Sequence, residues 1–198
     1  MYKYGAMLLH SFPRMLALFS TLALSSASAA ILTYTGSLSG FQQVPANVSS
    51  ATGFAVIDYN DILSTLTVNV TFSGLSAGTT AGHIHCCAAE GANAGVAIGF
   101  PASPGFPLGV TSGTYNNVFD LTSIATFNAT FFTNNGGTVA SAQAAFLNGL
   151  NSGQTYVNIH NINFPSGEIR GQLAPVPEPA TILVLCSGLG FLAWRKRR

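Results

Sequence analysis

Charge is what this chain has least of: 7 % of its 198 residues are Asp, Glu, Lys or Arg. Lys3, Arg14, Arg195, Lys196, Arg197 and Arg198 all lie near the ends, so Arg170 is the only cation in residues 31–174. That stretch also holds Asp58, Asp61, Glu90, Asp120 and Glu168: five carboxylates against one guanidinium, a net of about −4 although the whole chain stands at +1. A surface so poor in cations has little with which to neutralise phosphates, which argues against nucleic acid and against adhesion to anionic lipid. Two catalytic patterns are missing as well. There is no phosphate-cradling glycine loop opening a helix and no carboxylate pair at a readable spacing, so no catalytic residue is assigned and the protein is not read as an enzyme. Cysteine is limited to Cys86, Cys87 and Cys186.

What is present begins with two terminal address segments. Residues 1–29 read as a secretory signal: Lys3 and Arg14 supply the positive start, MLALFSTLAL (15–24) is a short apolar run, and Ala27-Ser28-Ala29 offers the small residues a signal peptidase accepts. Cleavage is expected after Ala29, with Ala30 the competing site. At the other end Pro177-Glu178-Pro179 leads into the apolar run 182–194 and closes on Arg195-Lys196-Arg197-Arg198. That run reaches about 20 Å as a helix against roughly 30 Å of hydrocarbon, so it crosses a membrane only with snorkelling flanks or local thinning. The four cations act as a membrane stop and keep the C-terminus cytoplasmic, which puts the preceding chain outside.

This three-part end, residues 175–198, resembles a PEP-CTERM sorting signal. The resemblance implies a Gram-negative envelope, an exosortase-type transpeptidase that cuts near Pro177-Glu178-Pro179, and delivery to the cell surface or extracellular matrix. The C-terminal helix is then a transient inner-membrane anchor.

Between the address segments, residues 30–174 are long enough to bury a core without staples. Leu66, Val68, Val70 and Phe72 alternate with Thr65, Thr67, Asn69, Thr71 and Ser73, the period-two stripe of a strand with one buried face. Strands are also predicted over 31–38, 53–59, 80–86, 96–100, 113–121, 155–161 and 168–173, with Tyr59-Asn60-Asp61 and Phe164-Pro165-Ser166-Gly167 as turns. Residues 123–132 and 138–150 carry helical spacing, the second with Thr138 as N-cap and Gly149 or Gly153 near its end. The expectation is a mainly β fold, an antiparallel β-sandwich with two short helices in one crossover. Residues 100–107, rich in Pro, read as an irregular surface loop.

The segments Ala81-Gly82-His83-Ile84-His85, Gly136-Gly137-Thr138, Tyr156-Val157-Asn158-Ile159-His160 and Ser166-Gly167-Glu168-Ile169-Arg170-Gly171-Gln172-Leu173 resemble a CHRD domain, the module named from chordin. The resemblance spans essentially the whole body. It implies an immunoglobulin-like sandwich but no defined activity. Together with low charge and strand faces rich in Thr, Asn, Ser and Gly, it suggests a non-enzymatic binding or structural role toward surface polysaccharide or other envelope proteins.

On a strand, His83 and His85 project from one face with about 6.5–7 Å between their α-carbons. If their strand neighbours the one carrying His160, the three imidazoles form a set suited to zinc or copper. An H-x-H strand in a sandwich is similar to Cu/Zn superoxide dismutase at the level of fold. However, the body has only three histidines and no aspartate close behind them, so the bimetallic ligand set, and dismutase activity with it, is rejected. The preferred reading needs no cofactor: Asn158, Glu168 and Arg170 beside His160 make a structural polar cluster. In an oxidising compartment Cys86 and Cys87 pair with each other, bridge two chains or serve as metal or redox groups, which would make the His-x-His strand part of a metal-binding or redox module. The bond between neighbours is the preferred of the three.

Overall fold

A computed structural model describes residues 30–101 and 105–177. The predicted signal segment 1–29, Glu178, Pro179, the C-terminal apolar run and Arg195 to Arg198 lie outside the described residues. Among the described residues no helix is long and apolar enough to cross a membrane.

The chain runs β1 (Ile31–Ser39), β2 (Thr52–Asn60), β3 (Thr65–Ser73), β4 (Thr79–Cys86), β5 (Val96–Gly99), β6 (Gly113–Asp120), α1 (Ala129–Asn134), α2 (Val139–Asn151), β7 (Thr155–Asn161), β8 (Ile169–Gln172) and the short β9 (Ala174–Pro175). Every strand pairing is antiparallel, in the order β5-β4-β7-β8-β1-β2-β3-β6, with β9 added beside β1. The period-two stripe in β3 does what its alternation requires: Leu66, Val68, Val70 and Phe72 are buried while the residues between them face outward.

The expected immunoglobulin-like closure does not emerge from this pairing. One continuous antiparallel sheet curls into a half-barrel. The joint lies between β1 and β8, where Ser39 pairs with Arg170. Gly36 and Gly171 make it possible, because a Cβ on Gly36 would strike the Gln172 carbonyl and one on Gly171 would strike the Ser37 carbonyl and Leu38.

The crossover between β6 and β7 holds both helices. Asn128 caps α1 by accepting from the Thr130 N–H. Thr138 caps α2 in a reciprocal box with Ser141, and α2 ends at Ser152 ahead of Gly153, whose φ is +64°. The predicted helix over 123–132 is shorter than expected, because Ser123 caps a 3-10 turn over Ile124–Thr126 before α1 begins. The core of the half-barrel gathers Ile84, Ile98, Val157, Ile159 and Ile169 from the sheet and Phe131, Ala142, Phe146 and Leu150 from the helices. Phe100 and Phe106, expected in a surface loop, are core residues: their rings pack against Tyr115 and against each other, and they fill the space that Gly82 leaves open.

Candidate functional site

β7 lies between β4 and β8 and is buried along its whole length. Val157 and Ile159 face the core, while Tyr156, Asn158 and His160 face the other way, under the loops that carry Gln43, Asn93 and Pro165. Polar side chains on a buried strand face require partners. Those partners form three adjoining assemblies.

The first is the histidine set. Register places His85 opposite Tyr156, His83 opposite Asn158 and Ala81 opposite His160. The small Ala81 leaves the His160 ring free to meet His83, its diagonal neighbour. His83 Nδ1 lies 3.1 Å from His160 Nε2, and one ring nitrogen from each of His83, His85 and His160 lies within 4.8 Å of the others. Two backbone carbonyls define the tautomers. Ala94 O lies 2.9 Å from His85 Nδ1 and Pro165 O lies 2.9 Å from His160 Nδ1. A carbonyl only accepts, so both Nδ1 atoms carry the proton and both Nε2 atoms present a lone pair.

His160 Nε2 accepts from His83, but His85 Nε2 is buried without a partner. Such an orphan costs about 1–3 kcal/mol. Burial holds His83 and His85 down at about 4, helped at His83 by the neighbouring imidazoles; at His85 the Ala94 bond works against burial, while His160 and Arg170 reinforce it. Burial also lowers His160, against the Pro165 bond. All three are neutral imidazoles at neutral pH.

The second assembly is built on Tyr156. Its ring stacks on His85 at 4.7 Å between centroids and 4° between planes, and the Arg170 guanidinium carbon sits 3.4 Å from its centroid. Arg170 is 1 % exposed, and its hydrogen bonds go to neutral oxygens: Ala92 O at 2.9 Å, Gln172 Oε1 at 3.0 Å and Asn93 Oδ1 at 3.3 Å. Asn158 accepts from Gln43 Nε2 at 2.6 Å and donates to Ser166 O.

The third is a carboxylate knot. Glu168 is wholly buried; its carboxylate accepts from Ser49 Oγ at 2.5 Å, from the Ser76 N–H at 2.9 and 3.1 Å, from Ser76 Oγ at 3.1 Å and from Asn161 Nδ2. Glu168 is thus turned toward serines rather than histidines, and among the described residues no hydrogen bond joins Glu168 or Arg170 to an imidazole. The residues grouped from the sequence therefore separate into neighbouring assemblies. Tyr156, Gln43, Ser49, Ser76 and Asn161 complete them. Gln43, Ser49 and Ser76 were missed because they lie more than 90 residues in sequence from the side chains they meet, and the one local signal was the alternation that puts Tyr156 on the face of His160.

Cys86 and Cys87 are bonded to each other. Cys86 is buried and Cys87 exposed, and both sulfurs press on Gly149 of α2, where a Cβ would overlap them.

A family model of the CHRD domain matches residues 34–173. The chain belongs to the CHRD domain family. The joint, the buried strand and the histidine set of this CHRD domain all fall inside the matched span. A second model, the PEP-CTERM protein-sorting motif, matches residues 175–198. It implies an exported, envelope-associated protein handled by an exosortase-type system. No curated protein and no solved structure matches the chain.

Proposed function

We propose that the mature protein is a non-enzymatic component of the cell surface or extracellular matrix that binds envelope polysaccharide or other surface proteins through an exposed strand face. The sorting motif supports the location. The role is carried by the occupancy of Glu168: the buried carboxylate that could have served as an acid or base is saturated by serine and asparagine donors, as in a structural knot.

The outer face of β2, β3 and β6 supplies the contact. Phe54, Thr71 and Thr114 stand in register across the three strands, with Thr52 opposite Ser73 beside them. Phe54 is 45 % exposed and forms one wall of a shallow groove lined by those hydroxyls. An exposed ring flanked by hydroxyls suits the apolar face and the hydroxyl rim of a sugar. On this reading the signal segment is removed after Ala29, the run 182–194 crosses the inner membrane until processing, and the cut falls near Pro177-Glu178-Pro179.

The test is co-sedimentation of the mature protein with the insoluble envelope polysaccharide of the producing cell, comparing wild type with Phe54→Ala and Thr71→Ala. Retention of the wild type that drops several-fold in both variants is expected. Retention unchanged in both variants, or absent for the wild type, overturns this reading of the surface.

A further inference from the structure

The sheet places three neutral imidazoles together and leaves one of their ring nitrogens buried without a hydrogen-bond partner, an arrangement that the surface role does not use. We propose that His83, His85 and His160 form a mononuclear site for a borderline transition-metal cation, zinc or copper.

Four observations carry this. The donor set is right: three imidazoles suit zinc and copper, whereas the harder magnesium and calcium call for oxygen ligands. The ligands are oriented: His85 and His160 each donate Nδ1–H to a backbone carbonyl, the outer-shell bond that turns Nε2 toward a metal. The spacing is close: with metal–nitrogen bonds of about 2.05 Å, the 3.1 Å between His83 Nδ1 and His160 Nε2 corresponds to an N–M–N angle of roughly 100°. His85 Nε2 is a lone pair with no other partner, and since a tetrahedral site holds its nitrogens about 3.3 Å apart, the widest nitrogen separation of the set, 4.8 Å, has to close by roughly 1.5 Å at most.

His83 is the ligand that changes on binding. In the metal-free fold its Nδ1–H is donated to His160 Nε2, because His160 Nδ1 is already committed to Pro165. Metal binding requires His83 to shift its proton to Nε2, which frees the Nδ1 lone pair. The imidazole stays neutral and no net proton is released. His83 is also the only half-buried member of the three, so the ion enters past it.

The stack behind the site sets its character. Tyr156 holds the His85 ring flat, and the buried guanidinium of Arg170 lies on the same tyrosine. No carboxylate belongs to the set, so the bound centre keeps the full charge of the ion beside Arg170. That favours an added anionic or water ligand at the open position on the His83 side.

The proposal stands apart from the surface role, and its failure leaves that role untouched. It is tested on the mature exported protein, kept non-reducing so that Cys86 and Cys87 stay bonded, by titration with zinc and with copper(II) in separate arms against a competing chelator. The expected result is one equivalent of at least one ion, displaced by the other. Affinity should fall at least 100-fold in His83→Ala and in His160→Gln, with the far-ultraviolet circular dichroism of the metal-free variants unchanged. Because His160→Gln risks the fold, the half-exposed His83→Ala is the deciding variant. Failure of the wild type to retain either ion against the chelator, or retention by His83→Ala equal to wild type, overturns the proposal.

Discussion

Glu168→Gln keeps the size of the side chain and removes only its charge and one acceptor. Oε1 faces Ser49 Oγ and the Ser76 N–H; Oε2 faces the Ser76 N–H, Ser76 Oγ and Asn161 Nδ2. The least costly arrangement puts the new amide nitrogen in the place of Oε1, because the Ser49 hydroxyl can turn to accept while the Ser76 N–H keeps Oε2. What is then lost is charge assistance on two or three bonds, about 1 kcal/mol each, or ~2–3 kcal/mol in all. Glu168→Ala instead strands the Ser76 N–H, leaves the Asn161 amide with only its Ala77 and Ser76 partners and opens a cavity, for a loss of about 4–5 kcal/mol. At roughly 2–4 °C per kcal/mol for a body of this size, the melting temperature should drop by about 5–10 °C in the Gln variant and clearly further in the Ala variant. Urea unfolding followed by circular dichroism gives the same quantities as shifts in midpoint at constant slope. A Glu168→Gln protein within ~0.5 kcal/mol of wild type would refute the knot as the clasp between β8 and the Ser49 and Ser76 loops.

The remaining predictions rest on separate contacts. Gly149→Ala drives a methyl into the sulfurs of Cys86 and Cys87 and should cost about 1–3 kcal/mol, checked by urea midpoint; a neutral result contradicts the packing of α2 on that pair. Leu66→Ala in the half-barrel core should cost about 2–5 kcal/mol, whereas Val118→Thr, on the exposed side of β6, should stay within about 0.5 kcal/mol. Metal-free protein should lose stability as pH falls from about 6.5 toward 4. Burial keeps His83 and His85 at about 4, so within that window the unfolded chain takes up protons that the fold refuses, while above pH 7 the histidine contribution is flat. A urea midpoint that does not change between pH 7.5 and 5 contradicts the buried, neutral state of these rings.

Local pattern carried the elements well. The alternation in β3 and the Thr138 cap of α2 are decided by neighbours within a few residues, and both were legible from the sequence. Closure was not. Whether strands form two sheets or one curled sheet depends here on the β1–β8 joint, and on Gly36 and Gly171, whose meaning appears only when the strands meet. The histidine set was half legible. The spacing of His83 and His85 put both on one face, but their meeting with His160 depends on a register between strands more than 70 residues apart. Glu168 was grouped with His160 because it was expected on the strand next to that histidine, yet its carboxylate turns toward Ser49 and Ser76, loops that no local pattern ties to β8. Phe100 and Phe106 were hidden by the prolines around them, which mark an irregular backbone but say nothing about where the rings point.

The central claim is delivery: a CHRD body carried outside the cell and released from its sorting segment. Intact mass measurement of the protein in the envelope and extracellular fractions tests it most directly. The account predicts a species that begins near Ala30 and ends near Pro179, without Arg195 to Arg198. A full-length chain that retains Arg198 in the surface fraction, or a product confined to the cytosol, would contradict it.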